Sequence, residues 1–258
     1  MSIESIKTVT VVGAGTMGPG MAATFARYGF DTYLSDIKDE QIEKAKGTID
    51  FVFKTLVSGE FLTAEEAETA KGRITLTTNQ AEAVANADFV VETVPERLEI
   101  KKAVFEELSK QSKPGTILAS NTSGIPITTL QDGISEPNRV VGMHWSNPPH
   151  LIPVIEVIKG EQTDGTTVET IKEIIAKIGM VAGIVDKDVP GFVENRILYA
   201  IMREALHLLD EGVASAQDID TITKWASATS WPSSVRWNCS MSPAWTSTPR
   251  SPATSTRT

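Results

Sequence analysis

The sequence predicts an α/β protein, a doubly wound and mostly parallel sheet followed by the first helices of an all-α C-terminal domain. Three observations predict it. Short apolar runs alternate with helical patterns through the first 190 residues. Parallel strands need crossover helices, so that alternation reads as a sheet covered on both faces. Residues 8–36 hold a strand, a glycine-rich turn, a helix and a second strand in that order. After Pro190-Gly191 the alternation gives way to helical periods alone.

The glycine-rich turn is the most informative element. The apolar run Thr8–Val12 enters Gly13-Ala-Gly15-Thr-Met-Gly18, and a helical segment, Met21 to Tyr28, follows. A second run, Thr32–Ser35, stops at Asp36. This order, with those glycine spacings, is the Rossmann-type arrangement that binds a dinucleotide. Gly13 permits a tight turn, Gly15 lets the backbone approach a pyrophosphate, and Gly18 lets the helix pack against the strand. Thr16 and Met17 complete the expected cofactor-binding turn. The helix start offers free N–H groups and a positive dipole end to phosphates. Pro19 belongs in the first helical turns, where its missing N–H is tolerated. A carboxylate at Asp36 suits the ribose hydroxyls and repels a 2′-phosphate, so the expected cofactor is NAD.

The remaining strands are expected at Ile74–Thr77, Phe89–Glu92, Thr116–Ser120, Arg139–Met143, Ile152–Ile158 and Met180–Ile184. Helical patterns lie at Lys38–Leu56, Thr63–Lys71, Leu98–Lys110 and Thr166–Ile178, with Thr63-Ala-Glu-Glu66 as a capping box. The pairing of the later strands is left open by the pattern. Phe192–Glu211 is a long amphipathic stretch ended by Gly212, and Ser215 opens another helix. The expected division is therefore 1–188 for nucleotide binding, 189–226 for the start of a helical substrate and dimerisation domain, and 227–258 for a tail.

Composition excludes several classes. The 258 residues carry a formal charge of −9, which disfavours nucleic-acid binding. No apolar run reaches the length of a membrane span, and the N-terminus is not signal-like. A single cysteine, Cys239, rules out an intrachain disulfide framework and fits a cytoplasmic location. With three histidines and that one cysteine, no metal site is expected.

Four further segments resemble the 3-hydroxyacyl-CoA dehydrogenase family, in its order. They are Val90-Val-Glu-Thr-Val-Pro-Glu96, Ser120-Asn-Thr-Ser123, Gly142-Met-His144-Trp-Ser-Asn147-Pro148 through Glu156, and Asp188-Val-Pro-Gly-Phe-Val-Glu-Asn195-Arg196. The resemblance implies NAD-dependent oxidation of the 3-hydroxyl of a 3-hydroxyacyl-CoA, a step of fatty-acid β-oxidation, by a homodimer. It puts the catalytic base at His144 with Glu156 as its carboxylate partner. An imidazole suits a hydroxyl proton near neutral pH, and a carboxylate on its other nitrogen fixes the tautomer. Ser123 and Asn195 are implied to hydrogen-bond the reacting oxygen, with Asn147 supporting the pocket. Glu96 and Lys101 match positions near the nicotinamide ribose, and Asn121 lies on the same loop. His150 and His207 carry no implied role.

Two departures bear on the substrate. The family's lysine-rich phosphate-holding segment corresponds here to Val57-Ser-Gly-Glu-Phe-Leu-Thr63, with only Lys54 nearby as a candidate for CoA. His144-Trp-Ser-Asn-Pro-Pro-His150 is closer to the Asn-Pro-Pro branch, whose carnitine and gulonate dehydrogenases act on acids without CoA. The tail departs as well. Residues 227–258 hold no acid, are rich in Ser, Thr, Pro and Arg, and contain three tryptophans. Codons can be chosen for this stretch so that another frame spells the family's G-P-x-E-L-x-D continuation. The expectation is a single lost base near the Trp225 and Ala226 codons, a disordered tail, an uncovered apolar face on the preceding helix, impaired dimerisation and an NAD-binding product with reduced or absent catalysis.

Overall fold

The computed structural model describes residues 3–227, so the expectations for the tail lie outside the described residues. Eight strands form one sheet in the order β3-β2-β1-β4-β5-β6-β7-β8. They are β1 Thr8–Val12, β2 Asp31–Ser35, β3 Ile74–Thr77, β4 Phe89–Glu92, β5 Ile117–Ser120, β6 Val140–Trp145, β7 Val154–Ile158 and β8 Val181–Val185. Strands β1 to β6 are parallel, β7 is antiparallel to β6, and β8 is parallel to β7. The strand order reverses between β1 and β4. A crevice opens at such a switch point, outside the carboxyl ends of the strands.

Every residue of β4, β5 and β6 is buried, which explains their near-continuous apolar sequences. One face of the sheet is covered by α1 Gly18–Arg27, α2 Asp39–Ser58, α3 Ala64–Lys71 and α7 Gly165–Lys177. Its core joins Val9, Val11, Phe25, Phe89 and Trp145 to Ile171 and Ile175. The opposite face is covered by α4 Gln80–Ala85, α5 Leu98–Gln111 and α6 Ile127–Gln131, around Val90, Phe105, Leu118 and Leu130. The Thr63 capping box forms in full. Helices α4 and α6 are absent from the expected elements because five or six residues do not establish a helical period.

The chain divides into two compact units, Met1–Arg196 and Ile197–Thr258. Residues 189–196 group with the first of these units. The physical reason is that Val193 and Glu194 hydrogen-bond a carboxylate on β7. The long helix α8 spans Glu194–Asp210 rather than starting at Phe192. Gly191 and Phe192 both take left-handed backbone angles, φ 76° and 44°, which no α-helix tolerates. Helix α9, Ala216–Ile222, is capped by Ser215. No helix among the described residues is long and apolar enough to cross a membrane.

Candidate active site

The glycine turn follows β1. Gly13 sits at φ 110° and donates its N–H to the Ser35 carbonyl at 2.8 Å. A Cβ there would lie 2.7 Å from the Thr93 carbonyl oxygen, and one at Gly18 only 2.0 Å from that of Gly13. Both glycines therefore serve close backbone approach. Gly15 is different. Nothing lies within 4 Å of its would-be Cβ, so the backbone there faces open space. Thr16 is exposed and Met17 half-buried. Helix α1 opens without a side-chain cap and with Pro19 in its first turn. Asp36 leaves the end of β2, and its carboxylate accepts the Ala14 N–H at 2.9 Å and the Lys38 N–H at 3.1 Å. An open glycine, an uncapped helix start and a carboxylate tied to the same turn fit a dinucleotide.

The carboxyl ends of β4 and β5 hold a buried ionic network. Lys101 Nζ lies 2.7 Å from Glu92, 3.3 Å from Glu96 and 3.2 Å from the Val94 carbonyl. Glu92 also accepts from Ser120 Oγ and the Val94 N–H, both at 2.7 Å. Burial pushes the Glu92 carboxyl up, against the pull of Lys101 and these donors. Glu96 is partly exposed; burial raises it, but hydrogen bonds from Thr122 and the Ser123 N–H, with the Lys101 charge, bring it below the usual range. Lys101 itself is only 1 % exposed, so its ammonium supports Glu92 and Glu96 and is not a free cation reaching outward. Asn121 ties the loop after β4 to the end of β6, donating to Thr93 Oγ1 at 3.2 Å and accepting the Trp145 N–H at 2.8 Å.

His144 and Glu156 face each other across the antiparallel β6–β7 pair. Directly opposed residues share one face, and His144 Nδ1 lies 2.8 Å from Glu156 Oε2. The other oxygen of Glu156 accepts the N–H groups of Val193 and Glu194, each at 2.9 Å. Burial raises Glu156, but the hydrogen bonds from His144, Glu194 and Val193 outweigh it and hold the carboxyl below its ordinary value. An ionised carboxylate only accepts, so the proton of the pair sits on His144 Nδ1, and the tautomer this selects is the one with its lone pair on Nε2. The Phe192 ring, 1 % exposed, packs 5.8 Å from the imidazole.

The structure joins Ser123 to Asn195, whose Nδ2 donates to the Ser123 carbonyl at 2.9 Å. That leaves the Asn195 amide oxygen and the Ser123 hydroxyl without hydrogen bonds among the described residues. Asn147 is exposed, in a loop whose Asn147–Pro148 peptide is cis. Lys54 is exposed on α2, and no hydrogen bond or ion pair links it to the dyad. Sequence reasoning passed over Ser146, Phe192, Val193 and Glu194. The available signal was Glu194, an acid at a helix start just after Pro-Gly, where it complements the dipole. His144, Glu156 and Glu194 offer atoms within 4.8 Å of one another, the spacing of a shared cation, but each already has a partner within the protein.

A dinucleotide turn at the carboxyl end of β1 and an imidazole near the carboxyl end of β6, paired with a carboxylate on the antiparallel neighbour β7, define an NAD-dependent oxidoreductase. The comparisons narrow the class. The model of the 3-hydroxyacyl-CoA dehydrogenase NAD-binding domain matches residues 8–189, and that of the family's C-terminal domain matches 191–231. The chain belongs to the 3-hydroxyacyl-CoA dehydrogenase family. It is 46 % identical over 220 residues to 5-formyl-3-hydroxy-2-methylpyridine 4-carboxylate 5-dehydrogenase of Mesorhizobium japonicum, covering 85 % of this chain and 70 % of that one. It is 38 % identical to 3-hydroxybutyryl-CoA dehydrogenase of Bradyrhizobium diazoefficiens, covering 85 % and 74 %. Among solved structures, (S)-3-hydroxybutyryl-CoA dehydrogenase from Ralstonia eutropha matches with a TM-score of 0.81 and 35 % identity, covering 87 % and 78 %.

Proposed function

We propose that this chain oxidises the hydroxyl carbon of a 3-hydroxyacyl-CoA, reversibly, with His144 as general base. The observation that carries the reading is the His144–Glu156 pair at 2.8 Å. Ionised Glu156 takes the Nδ1–H and turns the Nε2 lone pair toward a proton donor. His144 then receives the substrate hydroxyl proton at Nε2, and Glu156 stabilises the imidazolium that results. Ser123 and Asn195, linked by their own hydrogen bond, offer a hydroxyl and an amide to position the reacting oxygen. Gly13, Gly15, Thr16, Met17 and Gly18 would hold the pyrophosphate of NAD, and Asp36 the adenosine ribose. Glu96 and Asn121 would line the nicotinamide side, with Lys101 acting through Glu96. When bound, NAD supplies the hydride acceptor.

A second reading keeps this chemistry and changes the substrate to an acid without CoA. Two observations favour it: Val57–Thr63 contains no cation for a CoA phosphate, and one relative is named for a pyridine carboxylate. Lys54 is the CoA-phosphate candidate of the first reading. An NADH-formation assay with 3-hydroxybutyryl-CoA and a panel of free 3-hydroxy acids separates the two. Turnover is expected on one class and is lost in His144→Gln with NADH binding retained. Ordinary turnover in His144→Gln overturns the reading. NADH binding with no turnover on any member identifies a chain that binds the cofactor without catalysis.

A further inference from the structure

Glu156 is held on both sides, and only one side is His144. Its second oxygen takes two backbone N–H groups from the start of α8. That helix start also takes a side-chain bond from the residue just after the strand that carries the histidine. Ser146 Oγ, two residues after His144, lies 2.8 and 2.7 Å from the two carboxylate oxygens of Glu194. We infer that Ser146 and Glu194 are positioning residues, a clamp that closes a ring through His144, Ser146, Glu194 and Glu156 and thereby sets the angle of the imidazole. The inference rests on the general-base reading of His144 and adds the groups that aim it.

Local backbone geometry shows why a clamp is needed. The chain reaches α8 through Gly191 and Phe192, both at positive φ. A non-glycine residue in that region is strained by about 1–2 kcal/mol and persists only where its surroundings hold it. Burial of the Phe192 ring beside His144 is one such hold. The Ser146–Glu194 bond is a second, tying the first helical residue directly to the end of β6, and the Asn195–Ser123 bond holds the next residue. Gly124 packs under the same turn, where an added Cβ would come within 3.4 Å of the Gly191 nitrogen. Without the clamp, Phe192 and the Asn195–Ser123 bond still hold the turn, but the two N–H donors are aimed less firmly at Glu156 and the carboxylate less firmly at Nδ1. Glu194 acts here as an acceptor from Ser146, so its charge is dispensable and its hydrogen-bonding oxygen is not.

The test reads the His144 Nδ1–H proton by NMR in the chain itself, with no substrate, and so does not depend on turnover. His150→Gln and His207→Gln variants assign the resonance. In the parent chain the proton is expected at low field and in slow exchange with water. In Ser146→Ala and in Glu194→Ala its exchange is expected to quicken by about tenfold or more, since a hydrogen bond to a charged group is worth at least about that factor. Glu194→Gln keeps the accepting oxygen and is expected to stay within about threefold of the parent. Circular dichroism establishes that each variant is folded. Parent-like protection in Ser146→Ala, or equal damage from Glu194→Gln and Glu194→Ala, overturns the clamp. Failure of His144→Gln to abolish turnover would instead remove the base while leaving this measurement standing.

Discussion

Replacing Glu156 by Gln is the sharpest probe of the dyad, because the side chain keeps its size and loses one acceptor. The carboxylate makes three hydrogen bonds, at 2.8 Å to His144 and 2.9 Å to each of two peptide N–H groups. An amide has one oxygen and one NH2 to offer. Facing its NH2 toward Val193 and Glu194 would strand two peptide donors, so the oxygen goes there and the NH2 faces His144. Nδ1 must then accept, and the imidazole proton moves to Nε2, where a substrate hydroxyl needs a lone pair. Restoring the productive tautomer sets one N–H against another, two partly buried donors without acceptors at about 2 kcal/mol each. The sum, about 4 kcal/mol, is roughly a thousandfold in kcat. Nitrogen-15 NMR of His144 should report a switch from the Nδ1–H to the Nε2–H tautomer, and NADH affinity should be unchanged. A variant that keeps the Nδ1–H form and turns over within tenfold of the parent would refute the assignment of Glu156.

The glycine turn supplies a paired prediction. Gly18→Ala puts a methyl 2.0 Å from a backbone oxygen and should lower the melting temperature sharply, by about 3 kcal/mol or more of stability. Gly15→Ala meets nothing, so stability should change by less than about 1 kcal/mol while NADH affinity, read by fluorescence titration, falls at least tenfold. Lys101→Met strands the buried Glu92 carboxylate and should cost about 3–5 kcal/mol in denaturant titration, most of it recovered in the Glu92→Gln/Lys101→Met double variant. Asp88 accepts the Lys7 and Thr8 N–H groups and pairs with Lys113; burial raises it, but these contacts bring it below its usual value. A carboxyl lowered in the folded state stabilises above its unfolded value, about pH 4, and that contribution is lost as pH falls through the lowered one. Urea titration should therefore show Asp88→Asn less stable than the parent near neutral pH, with the gap closing as the solution is acidified.

The sequence by itself determined the mostly parallel sheet and the place of the glycine turn, and its resemblance to the family singled out His144 and Glu156, which the structure pairs at 2.8 Å. Apolar runs of four to six residues and glycines at fixed offsets are local signals, and a local signal survives in one dimension. Helices α4 and α6 were too short to leave one. The antiparallel turn of β7 was equally invisible, since a buried strand reads the same in either direction. Only the tertiary structure decided that Lys101 is enclosed between two glutamates, that Val193 and Glu194 donate to Glu156 on β7, and that Ser146 hydrogen-bonds Glu194. Those facts depend on pairs of groups separated by up to 48 residues. The physical reason is that a hydrogen bond forms between whichever groups the packed core brings within 3 Å, and sequence distance has no part in it.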